Sequence, residues 1–191
     1  MVRWVKGMAV VAAVVFSSGV YAQEKHCRVE LSGGADIVSN YMWRGLREAG
    51  ISIQPQMSLS AGGFALKAWG SSAFASEAYR EMDLSISYDF GPVMLSVADI
   101  YCVSPAGVKK ENYGYFNYRK GSPHRIEAGI KWCISQKVPL TLSWYTTLFG
   151  GSDYTVGGNR VYASYFEVSY PFSFKEIDLK AGIGIVPWNA Y

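Results

Sequence analysis

Met82-Asp83-Leu84-Ser85-Ile86-Ser87-Tyr88-Asp89-Phe90 alternates apolar and polar side chains without a break. Successive side chains on a strand point to opposite faces, so this stretch makes one oily and one polar face. The same alternation returns where Ile126, Ala128, Ile130, Trp132 and Ile134 fall between Arg125, Glu127, Gly129, Lys131, Cys133 and Ser135. Working outward from these two, the pattern predicts nine strands, at 29–44, 51–60, 64–72, 81–90, 93–102, 124–135, 140–149, 161–171 and 177–186. Four of them carry two or more charges: Glu30/Asp36/Arg44, Glu81/Asp83/Asp89, Arg125/Glu127/Lys131 and Asp178/Lys180. In each, every charge has the same parity, which random choice of face would give roughly once in 128 trials. One sheet with a continuous oily face and a charged face fits an antiparallel, up-and-down transmembrane β-barrel. The rival is a soluble barrel, which turns its oily face inward.

Loop lengths point the same way. Links 61–63, 91–92, 136–139 and 172–176 are short, and they alternate with longer ones at 45–50, 73–80, 103–123 and 150–160. Short periplasmic turns alternating with longer external loops are the arrangement of outer-membrane barrels. Most of the strands reach the ~9–11 residues that a tilted strand needs to cross a bilayer. Trp43, Tyr88, Phe90, Tyr101, Trp132, Trp144, Phe166 and Tyr170 fall on the expected apolar face, several near strand ends, where interfacial aromatics sit.

Residues 1–22 read as a secretory signal peptide, with Arg3 and Lys6 before an apolar Met8–Phe16 core and Val20-Tyr21-Ala22 at the cleavage point. Residues 23–191 then form one barrel domain, located in a bacterial outer membrane. Losing two basic residues takes the net charge from +3 to about +1, which gives no electrostatic reason to expect nucleic acid. The expected partners are outer-membrane lipid and small solutes, and the sequence is silent on oligomeric state. Cys27, Cys102 and Cys133 are odd in number and match no metal-ligand spacing, with Cys27–Cys133 the best disulfide if one forms. Of the histidines, His26 and His124, only His124 has a nearby serine, and Ser122-Pro123-His124 reads as a turn. No serine elbow, phosphate loop or zinc helix occurs, so neither an enzyme nor a cofactor or metal is expected.

The segment Ala35-Asp36-Ile37-Val38-Ser39-Asn40-Tyr41-Met42-Trp43-Arg44-Gly45-Leu46 resembles the opening strand of the TorF-like porins, bacterial outer-membrane barrels. Gln54-Pro55-Gln56, Tyr115-Phe116-Asn117-Tyr118 and His124-Arg125-Ile126-Glu127 resemble further relatives from gut Bacteroidota, and the likeness covers most of 31–189. It implies roughly twelve strands, an even number of the kind such barrels use. Nine is odd, and the ninth runs outward towards Pro187, so the closing strands are expected to be missing here. Strand one and strand nine should then have unpaired outer edges, or close under strain.

The polar face defines the candidate site. Its expected lumen-lining residues are Asp36, Asn40, Arg44, Lys67, Trp69, Asp83, Asp89, Arg125, Glu127, Lys131, Tyr145, Tyr165, Glu167, Asp178 and Lys180. Asp36, Asn40 and Arg44, spaced by four, should stand in one row on strand one. The signs are mixed, whereas a strongly selective pore shows a ring of one sign. The expected function is therefore a narrow, weakly selective pore for passive passage of small solutes. The alternative is a structural or interaction barrel whose lumen is plugged by its own side chains and whose external loops bind a partner. The 103–123 loop carries Lys109, Lys110, Arg119 and Lys120 against Glu111, among Tyr113, Tyr115, Phe116 and Tyr118. It is expected to fold over the mouth with its charges solvated, the rival being contact with anionic headgroups or a sugar. Asp99 breaks the pattern by falling on the oily face, which a rim position or a β-bulge would explain.

Overall fold

The computed structural model describes residues 14–16, 28–74, 79–103, 114–119, 122–135, 137–150, 153–154 and 158–188. They form an all-β, antiparallel protein. Its strands are β1 (Val14–Phe16), β2 (Glu30–Val38), β3 (Tyr41–Trp43), β4 (Leu46–Ala49), β5 (Ser52–Ala61), β6 (Phe64–Ala73), β7 (Arg80–Asp89), β8 (Val93–Val103), β9 (His124–Cys133), β10 (Thr141–Gly150), β11 (Ser164–Phe174) and β12 (Ile177–Trp188). Ten of them make one sheet in the order β1-β2-β5-β6-β7-β8-β9-β10-β11-β12, and β3 pairs with β4 alone. From β2 onward each strand of the sheet lies beside the next in sequence, so the topology is a meander, as the alternation predicts.

Which face is covered is the reverse of what water dictates. Leu66, Leu84, Ile86, Leu95, Val97, Ile130, Ile183 and Ile185 are exposed, while Ser52, Gln54, Ser71, Glu81, Glu127, Ser143 and Ser169 are buried on the other face. A sheet whose buried side is the polar one must curl towards that side. The hairpin confirms the direction of curl. Tyr41 packs on Trp69 of β6 with ring centres 5.4 Å apart, while Arg44, three residues on, shares a cleft with Lys180, Gly182 and Gly184 of β12. On a flat sheet those strands are six spacings, about 29 Å, apart, whereas Tyr41 to Arg44 spans about 10 Å. The polar face is concave.

The sheet is open. No ladder joins β2 to β12 among the described residues, and β12 has β11 on one edge and no strand on the other. The outer edge of β2 is partly occupied, because Val14–Phe16 pairs antiparallel with Ala35, Gly34 and Gly33. That stretch belongs to the apolar core of the expected signal peptide, so the expectation of two bare edges holds for β12 and fails for part of β2.

Strand one is shorter than the sequence suggests. Its ladder with β5 ends at Val38↔Ser52, the chain bends at Ser39–Asn40, and Tyr41–Trp43 leaves to pair with Leu46–Ala49. The reason lies at the tip, where Arg44 (φ 49°) and Gly45 (φ 83°) both take left-handed backbone, the conformation a tight two-residue hairpin turn requires. The Arg47 guanidinium donates to Asn40 Oδ1 at 2.8 Å and closes the base of the excursion. Asp36, Asn40 and Arg44 therefore do not form one row, and Trp43 lies on the concave side rather than in an apolar girdle. Pro187 also corrects an expectation, since β12 runs through it to Trp188. An edge strand tolerates proline because no ladder bond is lost on its open side.

Two glycines on the concave face make room for tyrosine rings. A Cβ on Gly129 would stand 2.8 Å from the Tyr145 ring and 2.7 Å from Ser96 Oγ, and one on Gly184 would collide with the Tyr165 hydroxyl. Tyr145 and Tyr165 pair across β10 and β11, so both rings lie flat along the wall between these glycines.

Candidate functional site

The concave face arranges its polar side chains in cross-strand rows set by the ladder register. Trp69 and Asp83 pair directly, and the row continues through Ile100 to Arg125. The next row runs from Lys67 through Ser85 and Ala98 to Glu127. Tyr145 and Tyr165 come next, and then Lys131, Ser143 and Glu167 side by side. Asp36 pairs with Gln54 on β5. Asp89 caps the Gly91 turn through a 2.6 Å bond from the Gly91 amide, and Asp178 accepts from Ser173 at 2.7 Å beside the 174–177 turn. Asp89 and Asp178 thus stabilise turns at the short-turn end, and Asn40 braces Arg47.

Arg44 is the centre of the site. Its guanidinium donates twice to Glu127, at 2.8 and 2.6 Å, in the parallel fork that favours arginine over lysine. The same group lies 4.3 Å from the Trp43 ring centre, 4.7 Å from Tyr145 and 4.6 Å from Tyr165. Three aromatic faces around a cation stabilise it through their ring quadrupoles. The Arg125 guanidinium also lies over the Trp43 ring, 4.6 Å from its centre. Deeper in the fold, Tyr41 and Tyr79 both donate to the Glu81 carboxylate, and burial together with Glu81 holds the Tyr79 phenol well above its ordinary value. The β3–β4 hairpin is thus clamped at Arg44 to β9 and at Tyr41 to β6 and β7.

Two open clefts of about 390 and 330 Å³ flank Arg44. The first is lined by Tyr165, Glu167, Lys180, Gly182 and Gly184, and the second by Trp43, Arg125, Thr147, Asp153, Ser164 and Val186. Asp83 Oδ1 and Arg125 Nε are buried with no hydrogen-bond partner among the described residues. Among the described residues no three His, Cys, Asp or Glu side chains cluster as a metal site would need.

Sequence reasoning missed Tyr41 and misplaced Trp43 on the apolar face, because Arg-Gly is not among the strong hairpin-turn dipeptides, and it missed Tyr79, which precedes β7. It also missed His124, which is only 1% exposed although its parity places it on the oily face. His124 Nδ1 lies 2.8 Å from Asp99 Oδ1, and Nε2 faces the Tyr115 carbonyl. The Tyr118 hydroxyl donates to Asp99 Oδ2 at 2.6 Å, a bond that pushes the Tyr118 phenol up to about 12. Asp99 sits in regular register opposite Leu84 and Ile126, so no bulge is involved. The described part of the 103–123 loop is folded against the oily face, not over the mouth. Lys109, Lys110, Glu111, Tyr113 and Lys120 lie outside the described residues. So do His26 and Cys27, and with Cys27 the expected Cys27–Cys133 bridge.

Comparison with protein-family models, with curated proteins and with solved structures gives no match.

Proposed function

We propose that this chain forms the wall of an outer-membrane β-barrel and lines a narrow, weakly selective passage for small solutes. The observation that carries the reading is the inverted burial: from β5 to β11, large apolar side chains are exposed along one face and most polar ones are covered on the other. An apolar surface of that extent in water is an aggregation liability, whereas in lipid it is the required surface. No helix among the described residues is long and apolar enough to cross a membrane, so strands would do the crossing. Aromatic side chains band both ends of the apolar face. Phe64, Tyr88, Phe90, Trp132, Phe172 and Phe174 ring the short-turn end, and Phe74, Tyr101, Tyr115, Tyr118 and Trp188 the other, as interfacial girdles do. The likeness of residues 35–46 to the TorF-like porins supports the same reading. Lipid would also demand a partner for the open edge of β12, since each unpaired backbone group there costs several kcal/mol.

The mixed signs on the concave wall favour weak selectivity, and the clamped hairpin makes the passage narrow. The hairpin equally supports a second reading, a barrel plugged by its own side chains that serves as a structural or interaction module. Single-channel recording on the protein in planar bilayers separates them. Discrete conductance steps that enlarge in an Arg44→Ala variant support the pore. A chain that inserts yet stays silent in both forms supports the plug.

A further inference from the structure

Residues 114–119 are held in an unusual place. Asp99, Tyr101, His124 and Ile126 all fall on the apolar face, at the long-loop ends of β8 and β9. The loop folds down onto them. Tyr118 stacks on the His124 ring with centres 4.0 Å apart, and Tyr115 packs against Tyr101 at 5.3 Å and His124 at 5.3 Å. A turn closed by Asn117 N–H donating to the Gly114 carbonyl at 2.8 Å carries Phe116 at its tip. Phe116 is 90% exposed and touches Tyr115 edge-on.

The pin beneath this turn is polar and dry. His124 has no side-chain exposure and Asp99 only 15%. Both ring nitrogens of His124 face oxygen acceptors, the Asp99 carboxylate and the Tyr115 carbonyl. The titratable groups packed around it are Asp99 and Tyr101 from β8 and Tyr115 and Tyr118 from the loop. A carboxylate on an apolar face is expensive unless paired. Here the imidazole and the Tyr118 hydroxyl pair it, and the aromatic rings cover the pair.

We propose that Gly114–Arg119 is a lipid-binding finger that sets Phe116 into the outer boundary of the bilayer, with Arg119 at its anionic headgroups. The proposal rests on the reading that the apolar face meets lipid. Its own support is separate: the turn lies on that face rather than over the concave mouth, its apolar tip is 90% exposed, and a cation follows three residues later. An aromatic body with a nearby cation matches the interfacial zone of a membrane with negatively charged headgroups.

The test uses the full chain in phosphatidylcholine/phosphatidylglycerol vesicles, with Cys27, Cys102 and Cys133 changed to serine. A single environment-sensitive dye is placed at Phe116→Cys, at Val97→Cys on the apolar face, or at Val138→Cys in a short turn. Quenching by lipid-borne nitroxide is compared with quenching by aqueous iodide. The finger predicts that positions 97 and 116 are quenched from the lipid, 116 best by a shallow nitroxide, and that 138 is quenched by iodide. Lipid quenching at 97 with iodide quenching at 116 overturns the finger and leaves the barrel standing. Iodide quenching at 97 overturns the barrel and the finger with it. Protection of 116 from both quenchers means that a second copy covers it, which also overturns the proposal. His124→Asn and Tyr118→Phe, each made with the dye at 116, are expected to lower its lipid quenching at least twofold while position 97 is unchanged. Unchanged quenching in both variants overturns the pin.

Discussion

Arg44 and Glu127 lie 83 positions apart in the chain and meet through two hydrogen bonds of 2.8 and 2.6 Å on the concave face. Their side chains keep only 16% and 8% of their exposure. One pair thus ties the tip of the β3–β4 hairpin to the wall of the sheet, with Trp43, Tyr145 and Tyr165 around the cation.

Removing one partner of a covered ion pair strands the other charge, which costs about 3–5 kcal/mol. Arg44→Ala is therefore expected to lower the denaturant midpoint of the protein in detergent by a clearly measurable amount. The exchange Arg44→Glu with Glu127→Arg should recover part of the loss, because the fork changes hands while the charges stay paired. Equal stability of the single and exchanged variants would count against the clamp.

Gly129 sits beneath the Tyr145 ring, and a methyl group there would press on both the ring and Ser96 Oγ. Overpacking of this kind costs about 1–3 kcal/mol, so Gly129→Ala should destabilise despite alanine's smaller chain entropy. Adding Tyr145→Leu should restore much of the stability. Thermal unfolding of the three proteins checks the sign.

Asp153 is buried, and its carboxylate accepts from the Tyr162 and Ala163 amides at 3.1 and 2.7 Å. Tyr162 takes left-handed backbone at φ 55°, a conformation held against an L residue's preference. Asp153→Ala leaves two covered donors unmet, for a loss of about 1–3 kcal/mol. Faster amide exchange at Tyr162 and Ala163, ahead of the β11 ladder, is the expected signature.

Tyr118 titrates at about 12 because its hydroxyl donates to Asp99. The phenol is raised above its ordinary value near 10, so the bond's contribution is fully present below pH 10 and is lost as the pH rises through about 12. Asp99→Asn should bring the tyrosinate transition back towards its ordinary position, as read by absorbance titration. A wild-type transition already at the ordinary value would contradict the bond.

The meander was legible because alternation is a local property: Met82 to Phe90 carries it entire, and strands β7 to β10 fall within a few residues of their expected bounds. The direction of curl was legible too, since the charges of Glu81, Asp83, Glu127 and Lys131 share the face that the structure covers. The hairpin at Arg44 was not. A bend at Ser39–Asn40 interrupts a run whose alternation continues on paper, and only contacts with Glu127 and Trp69, far off in sequence, fix where it goes. Asp99 stands out in the sequence as a charge on the oily face, yet its partner His124 is 25 positions away, beyond the reach of any spacing rule. The open edges were legible only in part, because pairing of Val14–Phe16 with β2 follows from no pattern in the strand itself.

The central claim is that the face bearing Leu84 and Ile86 meets lipid while the face bearing Asp83 and Ser85 does not. Nitroxide labels placed singly along residues 82–88 in vesicles, with access of oxygen and of a water-soluble nickel complex read by paramagnetic relaxation, test it most directly. The account predicts a period-two alternation, with oxygen favoured at positions 82, 84, 86 and 88 and depressed at 83, 85 and 87. High nickel access at the even positions, or the same access on both faces, would contradict it.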